Sequence, residues 1–155
     1  ARTGHEVVRL EDEDPAPGWA SRTASELFLH AGKRRIAVRD RDLVGELAAR
    51  AQVVVVEAAT ADALAAWGFD DWPTPVKVAL TPFGRTGPRR NWQATPHVIL
   101  AMGGYTQLIG DPGRAPLSLP GHYLEFQAGH YAFIAASAAR LAERPTSIDI
   151  GFYET

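Results

Sequence analysis

Short runs of apolar residues alternate with helix-like spacings along the first half of the chain. Glu6–Leu10 is a short β-type run, and an acidic, Pro-containing stretch, Glu11–Gly18, breaks it. Within that stretch Asp12–Pro17 has the chemistry of a surface loop. Arg35–Arg39 alternates like a strand. Leu43–Ala51 carries apolar residues at helical spacing, with Asp40 or Asp42 as the cap. Val53–Val56 is an unbroken run of valines, which predicts a strand buried on both faces. Thr60–Trp67 is Ala-rich and helical, and Gly68 stops it. Val76–Leu80 is the next strand. Strand, helix, strand, helix, strand predicts a parallel, doubly wound sheet with right-handed crossovers.

The second half is patterned differently. Thr81–Pro88 (TPFGRTGP) is a Gly- and Pro-rich loop after a predicted strand. Open α/β sheets bind their ligands at the carboxyl ends of strands, so this loop marks a candidate site. Thr95–Gly104 reads as a short helix and Leu108–Pro120 as a long turn-rich segment. Tyr123–Leu141 is the longest helix candidate, with alanines and aromatics around most of its circumference. A helix of that kind is expected to be buried or clamped between partners. Ile148–Phe152 is a final strand-like run.

Composition narrows the function classes. The chain has 155 residues, 46 % of them hydrophobic and 22 % charged, with a formal net charge of −2. That suits one folded domain, and no basic field argues for nucleic acid. Cysteine is absent, which removes disulfides, thiolate metal sites and cysteine nucleophiles. No run of about 18 apolar residues suggests a membrane span, and no signal-peptide pattern opens the chain. A cytoplasmic location is the default expectation. The start at Ala1 and the stop just after Ser147–Phe152 read as cuts in a longer protein. GxGxxG, Walker and GxSxG patterns are absent. His122, Glu125 and His130 share a helix, but His130 lies over two turns away, so no metal site is expected. The tryptophans Trp19, Trp67, Trp72 and Trp92 are expected to serve packing.

Taken in order, these segments resemble the family III CoA-transferases, the group of formyl-CoA transferase, the carnitine CoA-transferases and α-methylacyl-CoA racemase. Thr81–Pro88 resembles the family's S/T-x-FG-x-x-GP loop. Ala101–Gly104 and Ile109–Pro112 are similar to its AL-S/G-G and TGDP segments, and Glu125–Ala132 to its D-x-x-AG-x-YA helix. Ser147–Ile150 resembles V-D-V-S, Gly4–Val8 resembles GA-x-V-I, and Ala31–Arg34 resembles R-G-K-R. The resemblance implies a Rossmann-like open parallel sheet flanked by helices, with a long buried helix near the carboxyl end. Residues 1–155 would form one CoA-binding α/β domain, an excised or truncated part of a longer chain. The family's complete chains continue into a second domain and form interlocked homodimers.

The resemblance also implies chemistry. The family transfers CoA from an acyl-CoA to a carboxylic acid through a carboxylate-linked covalent intermediate, with no permanently bound cofactor. Glu125 stands where the family places its nucleophilic aspartate. It is one methylene longer, and a glutamate in the first turn of a helix is also a common capping residue. Lys33 and Arg34 stand where the family's basic loop meets CoA; a solvated turn before a strand is the competing reading. Gly84 and Arg85 would approach the pantetheine, unless they only form a turn. The family's Arg-Pro-Gly after its next strand is replaced by Thr60-Ala61-Asp62, which removes one CoA contact. Thr95 takes the place of the racemase histidine, which disfavours racemisation; His97, two residues on, is expected to be an ordinary, partly buried histidine. A catalytically impaired CoA-binding paralogue and a purely structural dimerisation domain are the alternatives to an enzyme portion.

Overall fold

The computed structural model describes residues 4–12, 24–38 and 40–155. The chain divides into two compact units, 1–46 and 47–155. In the first, strand β1 (Val8–Asp12) and strand β2 (Arg34–Val38) pair in parallel, Val8 opposite Arg34 and Asp12 opposite Val38. Helix α1 (Ala24–Leu29) connects them. The strand begins two residues later than the apolar run suggests and continues through the acidic pair. Glu11 is tolerated there because it is neutralised: Arg35 pairs with it through two nitrogens and Arg9 Nε lies 3.0 Å away. The Arg35 hydrogen bond, more than the Arg9 charge, holds the Glu11 carboxyl below its ordinary value. Residues 13–17 of the expected loop, Arg39 of the expected second strand and Trp19 lie outside the described residues.

Helix α2 (Arg41–Arg50) crosses the boundary between the units. Asp40 is its cap: Oδ1 accepts from the backbone N–H of Asp42 at 2.9 Å. The second unit then builds strand β3 (Val53–Glu57), helix α3 (Ala61–Ala65), strand β4 (Val76–Thr81), helices α4 (Pro96–Met102), α5 (Tyr105–Leu108) and α6 (Tyr123–Leu141), and strand β5 (Thr146–Gly151). All three strands are parallel in the order β3-β4-β5, so their carboxyl ends share one edge. β4 is central and nearly all buried. Thr60 caps α3, its side-chain oxygen accepting from Ala63 N–H; the helix ends at Ala65, earlier than expected, and Gly68, at φ +73°, opens the 3-10 turn Phe69–Asp71 that follows.

The strand β4 separates two apolar layers. Val76, Val78 and Leu80 face α6, where they meet Ala128, Ala132, Ala136 and Ala139 together with Ile150. Ala79 points the other way, into a cluster with Leu64 and Phe69. Flanking a parallel sheet by helices on both faces is the doubly wound arrangement that the alternation of elements predicts. Among the described residues, however, β3 is a sheet edge. Val53 packs with the α6 layer and Val56 with the other, but Val55 is 53 % exposed, so the valine run is not buried on both faces. The reason is that α6 lies over β4 and β5 and does not extend across β3.

Helix α6 has the predicted bounds, but its burial is confined to one stripe. Leu124 and the alanines at 128, 132, 136 and 139 are buried, at spacings that line up on a single helical face. The large residues point away: Phe133 is 61 %, Ile134 63 % and Leu141 86 % exposed. Small residues toward the sheet let the helix lie close to β4 and β5. Any larger side chain on that stripe would have to displace the sheet. We expect Ala132→Leu to destabilise the protein by about 1–3 kcal/mol through overpacking, seen as a lower denaturation midpoint. The same change at exposed Ile134 should leave the midpoint nearly unmoved.

Candidate active site at the carboxyl edge of the sheet

Three carboxyl-terminal strand ends and the first turn of α6 meet at one edge of the second unit. The loop after β4 is held there by close backbone packing. Gly84 has φ +75°, a conformation that favours glycine, and Gly151 at the end of β5 lies directly against it. A Cβ on Gly151 would come within 2.9 Å of the Gly84 nitrogen. The Asp149 carboxylate, one strand position before Ile150, accepts from the Arg85 backbone N–H at 2.8 Å. Tyr153 N–H donates to the Pro82 carbonyl at 3.0 Å. Phe83 is buried against Ile99, Leu100 and Leu124, which ties the loop to α4 and to the start of α6.

Glu125 lies in the first turn of α6, with His122 as the preceding cap residue. His122 Nδ1 is 3.5 Å from Glu125 Oε1. The other oxygen, Oε2, is buried and has no hydrogen-bond partner among the described residues. Thr81 Oγ1, at the end of β4, is in the same condition. Buried polar atoms are nearly always paired in folded proteins, so two such atoms at one sheet edge mark a place where the fold tolerates a cost. The Glu125 carboxylate thus lies at a helix amino terminus, where the helix dipole favours a negative charge, with one oxygen out of water.

Glu57 shares this edge and carries a perturbed carboxyl. It is the last residue of β3 and remains exposed, yet the strand end and its neighbours take the carboxyl partly out of water. That desolvation raises its pKa, and the negative charge of Glu125 raises it further. Nothing in the sequence alone singled out Glu57; its signal was a charged residue closing an unbroken valine strand.

The other candidate residues are placed as follows. The Arg85 side chain turns to Asp70, reaching both carboxylate oxygens at 2.6 and 2.5 Å, and lies over the Phe69 ring at 5.1 Å. Lys77 is drawn to the same corner, donating to the Phe69 and Asp70 carbonyls. In the first unit, Arg34 pairs with Glu6 at 2.7 Å, and Lys33 Nζ is 3.2 Å from His30 Nδ1. Burial, then the charges of Arg9 and Lys33, lower the His30 pKa. Thr60-Ala61-Asp62 is the amino terminus of α3, and Asn91 Oδ1 accepts from the Asp62 N–H at 3.1 Å. Thr95 is the cap of α4, its Oγ1 3.4 Å from Val98 N. His97 is exposed, not partly buried. Trp72 packs on Phe69, whereas Trp92 is 53 % exposed beside Phe83 and Arg89. Among the described residues no three His, Cys, Asp or Glu side chains converge as metal ligands, and no helix is long and apolar enough to cross a membrane.

A parallel sheet flanked by helices, with a glycine-rich loop and a partly buried carboxylate at its carboxyl edge, defines an α/β class of protein. The sequence profile described as CoA-transferase family III matches residues 1–151, and the chain belongs to that family. The probable CoA-transferase Rv1866 of Mycobacterium tuberculosis (strain ATCC 25618 / H37Rv) is 31 % identical over 136 residues, covering 77 % of this chain and 17 % of that protein. A CAIB/BAIF family protein from Brucella suis shares the fold with a TM-score of 0.81, at 24 % identity, over 96 % of this chain and 46 % of that one. Rv3272 from M. tuberculosis, in an orthorhombic crystal form, gives 0.74 at 22 % identity, over 96 % and 47 %. The chain thus spans about half of the solved chains it matches and a smaller share of the curated relative.

The shift at Glu57 has a stability consequence with a definite sign. A carboxyl whose pKa is higher in the folded than in the unfolded state binds its proton more tightly when folded. It is without penalty below the unfolded value and increasingly unfavourable as pH rises through the folded value. We therefore expect Glu57→Gln to raise the thermal midpoint near neutral pH. That gain should disappear on acidification below the ordinary glutamate range, in a melting series on wild type and variant.

Proposed function

We propose that this chain is the CoA-binding portion of a family III CoA-transferase that moves CoA between an acyl-CoA and a carboxylic acid, with Glu125 as nucleophile. One observation carries the assignment: Glu125 holds a buried, unpartnered oxygen in the first turn of α6, at the carboxyl edge of a parallel sheet. In this reading the Glu125 carboxylate attacks the thioester carbonyl. The C–S bond breaks, CoA thiolate leaves with the electron pair, and a mixed anhydride remains. The thiolate then attacks the glutamyl carbon, expelling the donor's carboxylate and leaving a glutamyl-CoA thioester. The acceptor carboxylate attacks that thioester in turn, and the released thiolate cleaves the second anhydride to give the new acyl-CoA and free Glu125. Each step exchanges one nucleophile for another and needs no net proton. Backbone N–H groups of the α6 amino terminus are the available donors for a developing oxyanion, since the Arg85 N–H is engaged by Asp149.

Gly84 serves in this reading as a backbone surface for the pantetheine arm. Arg85 contributes its main chain, since its guanidinium is engaged by Asp70. Lys33 and Arg34 supply charge for the CoA phosphates, Arg34 by exchanging Glu6 for phosphate. The working protein is cytoplasmic and homodimeric, and this chain is one CoA-binding domain of it. No nucleic acid or membrane partner is involved, and CoA is a substrate and not a resident cofactor.

One observation favours a second reading, a paralogue that binds CoA without turning it over. At the segment where the resemblance implies an arginine for CoA, Thr60 caps α3 and the Asp62 backbone N–H donates to Asn91 Oδ1. The two readings separate on the full-length protein. With Glu125 as nucleophile, wild type should form a hydroxylamine-sensitive enzyme adduct from acyl-CoA. Glu125→Gln should lose that adduct and at least about a thousandfold of transferase activity. A variant with full activity refutes the assignment, and calorimetric CoA binding by a wild type without turnover favours the paralogue.

A further inference from the structure

We propose that Glu57 is a positioning residue for Glu125, its carboxyl sharing one proton with the buried Oε2 so that one acid of the pair stays neutral while the other is ionised. The inference rests on the reading of Glu125 as nucleophile and deepens it. Three geometric facts bring the two acids together. Glu57 is opposite Leu80 in the β3–β4 register. Register neighbours in a parallel sheet share a face, so Glu57 is on the face of Leu80, and Leu80 and Ala128 of α6 belong to one core cluster. Glu125 is one helical turn before Ala128. The strand end and the first turn of the helix therefore present their carboxyls at the same corner.

The surrounding charges leave the pair to itself. Lys77 and Arg85 are held by Asp70 and Phe69 in the layer on the other side of the sheet. Arg89 lies over the Trp92 and Tyr153 rings. Asp149 is held by the Arg85 N–H. His122 faces Oε1 of Glu125 and not Oε2. No cation therefore compensates Oε2 among these neighbours. Partial burial and then the negative charge of Glu125 both raise the Glu57 pKa, the direction in which a shared proton would act. An exposed side chain at a strand end has the rotational freedom to close on Oε2. A neutral Glu57 would donate to that oxygen, fix the Glu125 carboxylate plane, and leave Oε1 as the attacking atom. It would also compensate for the extra methylene, since a glutamate has one more rotatable bond to restrain than an aspartate.

The test uses full-length protein with acyl-CoA and a carboxylic acid acceptor, comparing wild type, Glu57→Ala and Glu57→Gln. The alanine variant should lose roughly ten- to hundredfold in kcat, the scale of a displaced reacting atom, with less than about a threefold change in KM for acyl-CoA. Glutamine, which keeps an N–H donor toward Oε2, should recover most of that loss. Wild type should lose activity at the alkaline side as the shared proton leaves, above the ordinary glutamate range, and Glu57→Gln should lack that limb. A merely structural role would lower both variants alike and leave the pH profile unchanged, and that result overturns the proposal, as does a Glu57→Ala enzyme with wild-type kcat. Hydroxylamine trapping separates the two levels. An adduct abolished by Glu125→Gln but formed at the wild-type rate in Glu57→Ala overturns the pairing alone. Absence of any adduct in wild type overturns the nucleophile reading as well.

Discussion

The close contact between the alanine stripe of α6 and the β4–β5 face is the constraint on which the site depends. Alanine at 128, 132, 136 and 139 adds little side-chain volume between helix and sheet, so the helix axis is fixed against the backbone of β4 and β5. That contact sets where the helix begins. Because the three strands are parallel, the start of α6 and the strand ends fall on one edge. The position of Glu125 follows from packing several turns away. The same edge is tightened by glycine: Gly151 admits the Gly84 backbone at a distance no side chain would allow. Helix, loop and terminal strand are thereby located relative to one another by the absence of side-chain bulk.

Charge is sorted across the sheet. On the α3 side, Asp70 collects Arg85, and Lys77 bonds to backbone carbonyls at the same place. On the α6 side, Glu57 and Glu125 are left with a histidine as the nearest described neighbour of opposite potential charge. Like charges crowded at a strand edge oppose folding, and a protein selected for stability alone has little reason to retain them. The two buried polar atoms without partners, on Thr81 and Glu125, belong to this same edge.

The order of elements was legible in the sequence because periodicity and punctuation agreed. Tyr123–Leu141 is helical to the residue, Thr60 and Thr95 cap helices as their chemistry demands, and the TPFGRTGP loop follows its strand. The valine pattern misled. An apolar run reports what a segment could bury, and not how much cover it finds. Val55 is exposed because α6 does not reach over β3, and the large residues of α6 face out because the alanines, not the aromatics, meet the sheet. Acidic Glu11-Asp12 looked like loop but continues a strand, since Arg9 and Arg35 neutralise Glu11 from places distant in sequence. At the site, the motif located Glu125 and the loop. The partners of Glu57 and Asp149 and the diversion of Arg85 to Asp70 required three-dimensional neighbours.

The substitution of glutamate for aspartate at the nucleophile's place gains meaning from this arrangement. A longer acid at a helix start reaches further and is less well fixed, and that would argue for capping alone. Capping, however, pairs the carboxylate with backbone N–H groups, and Oε2 of Glu125 is buried without such a pairing. The nearest capping contact, from His122, engages the other oxygen at a long 3.5 Å. A carboxylate that served only the helix would turn both oxygens to donors or to water. Glu125 does neither with Oε2, which is buried without a partner among the described residues.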